Sequence, residues 1–143
     1  MQENINALDE VNKGATMGCD AISFIIDKVE DKKFKELLEK QYDLYDNIKK
    51  KVEKIYNKYN DEKEPHKTNV VNKMMTWYGI NLKTITDHSN SKIAEILSQG
   101  TNMGIIEGKK ILNNKNINED VSKIVEDFVD SQEKLIEDLK DYL

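Results

Sequence analysis

The sequence predicts an all-α protein, and three observations carry that expectation. One Pro and 6 Gly in 143 residues leave little punctuation for a sheet-and-turn chain. Apolar residues recur at intervals of three and four through most of the length, the spacing of one helix face. No segment shows the apolar–polar alternation of a strand. The length suits a single domain, taken as residues 1–143.

The first helix is expected over 3–30, with Ile5, Leu8, Val11, Ala15, Cys19, Ile22, Ile26 and Val29 on one face. The second covers 32–59, with a seam through Phe34, Leu37/Leu38, Gln41, Leu44/Tyr45, Ile48, Val52, Ile55 and Tyr59. The join at Glu30–Asp31 is short enough to make the pair an antiparallel hairpin. Residues 60–67 (NDEKEPHK) hold the only Pro and read as a loop. A third helix is expected over about 68–87, with Val70, Val71, Met74, Trp77, Tyr78, Leu82 and Ile85. Ser89 or Asn90 can cap a fourth, 91–113. Asn118 can cap a fifth, to about 142, with a seam through Val125, Phe128, Gln132 and Leu135. The alternative for the middle of the chain is one long helix over 68–113, kinked near His88. The four long helices pair as two hairpins, and the third helix sits in the connection, where its apolar stripe must cover one end or side of the bundle.

Charge and composition narrow the function. Net charge is −5, and all 22 basic residues are Lys. Without Arg the chain lacks the bidentate fork that reads guanine or clamps phosphate, so no nucleic-acid partner is expected. No apolar run approaches the roughly 18 residues of a membrane span, and the first residues lack a secretory pattern, so no membrane partner is expected and the cytoplasm is the expected location. The single Cys rules out an intramolecular disulfide and a multi-Cys zinc site. Cys19 lies on the apolar seam, with no His near it in sequence to activate it, and reads as a buried packing residue.

Lys13-Gly14-Ala15-Thr16-Met17-Gly18, Trp77-Tyr78-Gly79-Ile80-Asn81-Leu82-Lys83, Ile93-Ala94-Glu95-Ile96-Leu97 and the Gly at 100 carry a family likeness. On these the chain resembles small uncharacterised bacterial families with the ferritin-like four-helix bundle, spore-coat-related families being a weaker match. The resemblance implies an antiparallel bundle of two hairpins. Metal-bearing members of that fold use a Glu from each of two helices and Glu-x-x-His from each of the others. This chain has no Glu-x-x-His: Lys63 and Ile85 stand three residues before His66 and His88. The central polar residues of two seams are Gln41 and Gln132, weak neutral ligands compared with carboxylate. No cofactor is expected. A depleted metal centre remains as the alternative, with Asp20, Glu39, Asp43 and Glu107 as its acids, provided they face inward.

Other features point to packing or to partners. Gln41 and Gln132 are expected to form a buried polar layer, bonded to each other or to neighbouring backbone or water. Gly14 and Gly18 share one helix face, as do Gly100 and Gly104. Gly costs helix stability, so close helix packing or room for a ring is expected there, with Trp77 the candidate to fill the gap. Met74, Met75, Trp77 and Tyr78 form a candidate interaction surface, for a homodimer or another protein partner. The leading expectation is a non-enzymatic helical protein acting by self-association or partner binding. A small-ligand site is a third reading. The three are told apart by inward acids at one level, by an exposed apolar patch at Met74–Tyr78, or by a dry pocket beside Gly14, Gly18 or Gly100.

Overall fold

The computed structural model describes residues 2–60, 73–114 and 116–143. The expected loop beyond Asn60, with His66, and the first turns of the third helix, with Val70 and Val71, lie outside the described residues. Five helices follow in order: α1 (Gln2–Ile25), α2 (Lys32–Tyr56), α3 (Lys73–Asn81), α4 (Asn90–Leu112) and α5 (Glu119–Leu139). Short 3₁₀ turns follow α1 (Ile26–Lys28) and α5 (Lys140–Tyr142). There is no strand among the described residues.

The starts of α2, α4 and α5 have local causes. Asp31 accepts the Phe34 N–H at 3.0 Å and caps α2. Ser89 accepts the Lys92 N–H at 3.2 Å and caps α4. Asn118 stands at the start of α5, but its side chain does not cap: its Nδ2 donates to the Tyr59 hydroxyl at 3.1 Å. Its own N–H donates to Asn4 Oδ1 at 2.7 Å, which ties the start of α5 to the start of α1. Glu119 and Asp120 place negative charge in the first turn, where the helix dipole favours it.

The single-helix alternative for 68–113 fails, as does the extension of the third helix to 87. Residues 82–84 turn and 85–89 are irregular. Polar side chains compete for the backbone here: Thr84 donates to the Ile80 carbonyl, and Asp87 accepts the Ser89 N–H at 2.9 Å. His88 lies exposed in this stretch.

The hairpins α1–α2 and α4–α5 make the most extensive helix contacts. Between them α2 meets α5, and α1 meets both α4 and α5. The short α3 lies against α4 and α1, as expected of a helix in the connection with its own apolar stripe. The core joins Leu8, Val11, Leu38, Tyr45, Ile93 and Phe128 into one cluster. Two assignments on α2 change. Leu44, expected in the seam, is 36% exposed, and Tyr56, outside the expected seam, is buried. The Tyr56 hydroxyl donates to Asp9 Oδ1 at 2.7 Å, so the ring stays dry while its polar tip is satisfied.

At the same end, the Tyr59 hydroxyl donates to Asp120 Oδ1 at 2.6 Å and Lys58 lies 3.4 Å from Asp120 Oδ2. The Tyr59 bond, and then Lys58, hold the Asp120 carboxyl below the usual carboxylate range. Burial, followed by the bond to Asp120, pushes the Tyr59 phenol up. Asp120 therefore contributes stability that is full above the unfolded carboxylate pKa of about 4 and is lost as pH falls through the lower folded value. Tyr59 contributes stability that is lost as pH rises past about 10. Urea unfolding followed against pH is expected to show both limbs. In Tyr59→Phe both limbs should become shallower, the alkaline one keeping the part that the buried Cys19, Tyr45 and Tyr78 supply. An unchanged pH profile in that variant would contradict the assignment.

Candidate functional site

Two sites emerge from the packing of the five helices: a polar layer inside the bundle and an apolar cavity beside it. The polar layer is centred on Tyr45 of α2. Its ring packs on the backbone of Gly18 in α1, where an added Cβ would stand 2.3 Å from a ring carbon. Its hydroxyl donates to Gln132 Oε1 of α5 at 3.3 Å. Gln132, fully buried at 0% exposure, donates its amide to the Phe128 carbonyl one turn back at 3.2 Å. Gln41 is 3% exposed, and its Nε2 has no hydrogen-bond partner within 3.5 Å among the described residues. The two glutamines are thus buried as expected, but the partner of Gln132 is a tyrosine and not Gln41.

Tyr78 of α3 repeats the pattern. Its ring lies over Gly100 of α4, 2.3 Å from where a Cβ would be, and burial raises its phenol to about 12. Burial drives the Tyr45 phenol still further above its ordinary range, so both hydroxyls stay neutral donors. Gly14 faces the Phe128 ring and Gly104 faces the Gln132 amide. The glycines therefore admit large side chains, as expected, but the occupants are Tyr45, Tyr78, Phe128 and Gln132 rather than Trp77. Trp77 is half-buried and meets Tyr78 edge-on, with centroids 5.6 Å apart.

Cys19 is buried, its thiol 3.8 Å from the Tyr42 carbonyl oxygen, and burial pushes its pKa up to about 11. That thiol is a poor nucleophile.

The acids of the metal alternative do not converge. Asp20, Glu39, Asp43 and Glu107 are all exposed. Glu39 and Asp43 border one shallow cleft with Tyr42, whereas Glu107 pairs with Lys110 at 3.5 Å on α4. The cause is helix rotation: the apolar seams take the inner faces, and these acids fall on the outer ones. Among the described residues, no three His, Cys, Asp or Glu side chains are grouped to hold a metal ion. No helix of the described residues is long and apolar enough to cross a membrane.

The candidate interaction surface is divided by the fold. Met74 and Tyr78 are buried, and Met75 and Trp77 are half-buried. Met74 and Tyr78 stand four apart on α3 and turn inward together, so they belong to the core rather than to an exposed patch. Met74 also lines a cavity of about 530 Å³ between α1, α3 and α4, with Met103, Ile106 and Phe128 as its apolar surface. Gly14 and Gly104 present backbone on its walls, and Lys13, Lys73 and Lys110 stand around it with Glu10 and Glu107. The sequence singled out Met74, and a pocket beside Gly14 as the mark of a small-ligand site, but not the rest of its lining, which comes from four helices.

Comparison with models of known protein families, with curated proteins and with solved structures finds no match.

Two pairs of substitutions test this packing by urea unfolding. Gly18→Ala should destabilise by about 1–3 kcal/mol, because the rigid Tyr45 ring must move. Gly79→Ala, with nothing within 4 Å of the new Cβ, should stabilise by up to about 1 kcal/mol. Gln41→Met removes a buried amide nitrogen without a partner among the described residues and should stabilise by about 1 kcal/mol. Gln132→Met deprives the buried Tyr45 hydroxyl of its acceptor and should cost about 1–3 kcal/mol. The reverse order within either pair would refute the arrangement.

Proposed function

We propose that this chain is a non-enzymatic helical protein that acts by binding, and that the cavity between α1, α3 and α4 receives an apolar group of its partner. One observation carries the reading: a space of about 530 Å³ beside Gly14 with Met74, Met103, Ile106 and Phe128 on its walls. Its size falls in the usual range for ligand sites, about 300–1,000 Å³, and its lining is of the usual kind. Methionine walls adapt to different apolar shapes. A second reading, self-association or binding of another protein, is favoured by Ile80, which is 61% exposed on α3 one turn from the half-buried Trp77. The order of elements, two hairpins with a long connection carrying α3, supports a ferritin-like arrangement of the bundle.

Titration with the neutral apolar fluorophore N-phenyl-1-naphthylamine tests the leading reading. Saturable uptake of one molecule per chain is expected. Ile106 is 46% exposed, so Ile106→Glu leaves the core intact while putting a charge on the cavity wall. That variant should bind about tenfold more weakly or worse, since a carboxylate against an apolar ligand is poorly solvated. No saturable uptake, or uptake indifferent to Ile106→Glu, would overturn the reading. Native mass spectrometry tests the second: a dimer in the unaltered chain that Ile80→Lys dissolves supports it, and a monomer at all concentrations removes the self-association form.

A further inference from the structure

The charges around the cavity have a pattern that its apolar walls do not explain. Lysines from three different helices stand at its edge: Lys13 of α1, Lys73 of α3 and Lys110 of α4. Two of them are neutralised by an acid one turn away on their own helix. Lys13 pairs with Glu10 at 3.1 Å, and Lys110 with Glu107 at 3.5 Å. Lys73 is exposed and makes no ion pair among the described residues. Among the described residues that line the cavity, three ammonium groups stand against two carboxylates, an excess of one positive charge in a chain whose net charge is −5.

We infer that the ligand of this cavity is a small amphiphile with a single carboxylate head: its apolar body lies over Phe128, Met74, Met103 and Ile106, and its head meets the Lys73 ammonium. This rests on the reading of the cavity as a binding site and adds the chemical class of what enters. A monoanion matches the excess of one charge. A cationic amphiphile would meet that excess as repulsion, and a neutral one would leave Lys73 unused. The Glu10–Lys13 and Glu107–Lys110 pairs are self-contained and need not break on binding. Methionine side chains from facing helices, Met74 on α3 and Met103 on α4, suit a flexible alkyl chain, which has no fixed shape to match.

The test is isothermal titration of the full chain with decanoate, 1-decanol and decyltrimethylammonium below their aggregation concentrations, on the unaltered protein and on Lys73→Gln and Ile106→Glu. Decanoate is expected to bind one per chain, about fivefold more tightly than decanol, the size of a partly exposed ion pair. Decyltrimethylammonium should bind more weakly than decanol. Lys73→Gln should bring decanoate down to the level of decanol and leave decanol unchanged, and added salt should narrow the same gap. Ile106→Glu should weaken decanoate and decanol, decanoate the more. Equal binding of decanoate and decanol, or a preference that survives Lys73→Gln, overturns the head-group assignment while the apolar cavity stands. Failure of all three to bind overturns the cavity as a ligand site as well. Circular dichroism of both variants, expected to match the unaltered chain, separates loss of binding from loss of fold.

Discussion

The ring of Tyr45 rests on the backbone of Gly18 while its hydroxyl reaches Gln132, and through that one side chain the two hairpins share a register. It belongs to α2, its ring packs on α1 and its polar tip bonds to α5. A rotation of any of the three helices would push the ring into a Cβ or leave a buried hydroxyl without an acceptor, which costs about 1–3 kcal/mol. Tyr78 extends the same constraint to the connection, since its ring over Gly100 pins α3 against α4. The position of α3 in turn sets one wall of the cavity, through Met74.

Magnitudes explain why glycine is used here despite its cost. A Gly in a helix interior loses about 1 kcal/mol relative to Ala. Fully burying a large apolar side chain returns about 1.5–3 kcal/mol. At Gly14, Gly18 and Gly100 the site opened by the missing Cβ is taken by an aromatic ring, and the burial term wins. Gly79 lacks such an occupant and carries the cost without that return.

The many surface ion pairs play a smaller part. Pairs such as Lys50–Asp46, Lys92–Glu95 and Lys140–Glu137 join neighbours one turn apart on exposed faces, and each contributes only a few tenths of a kcal/mol. The high charge content follows from helices whose outer faces must be solvated. Among the described residues, the charges at the cavity edge are opposite in net sign to the whole chain.

The sequence by itself determined the helical class, the apolar seams, the short α1–α2 join, the Ser89 cap and the burial of Cys19, Gln41 and Gln132. All of these are properties of one helix or one turn, and a periodicity of 3.6 residues encodes them locally. It also marked the glycines as places of close approach, since Gly in mid-helix calls for a tertiary reason. Only the tertiary structure decided which side chain met each glycine, because that depends on how far each helix is rotated and shifted against its neighbours. The same rotation put Leu44 outside and Tyr56 inside, gave Gln132 a tyrosine partner instead of Gln41, and turned Asp20, Glu39, Asp43 and Glu107 to the surface. The glycine at 14 marked where a pocket could lie, but its other walls were illegible for the same reason: they join residues from Glu10 to Phe128, and no local pattern records that these meet.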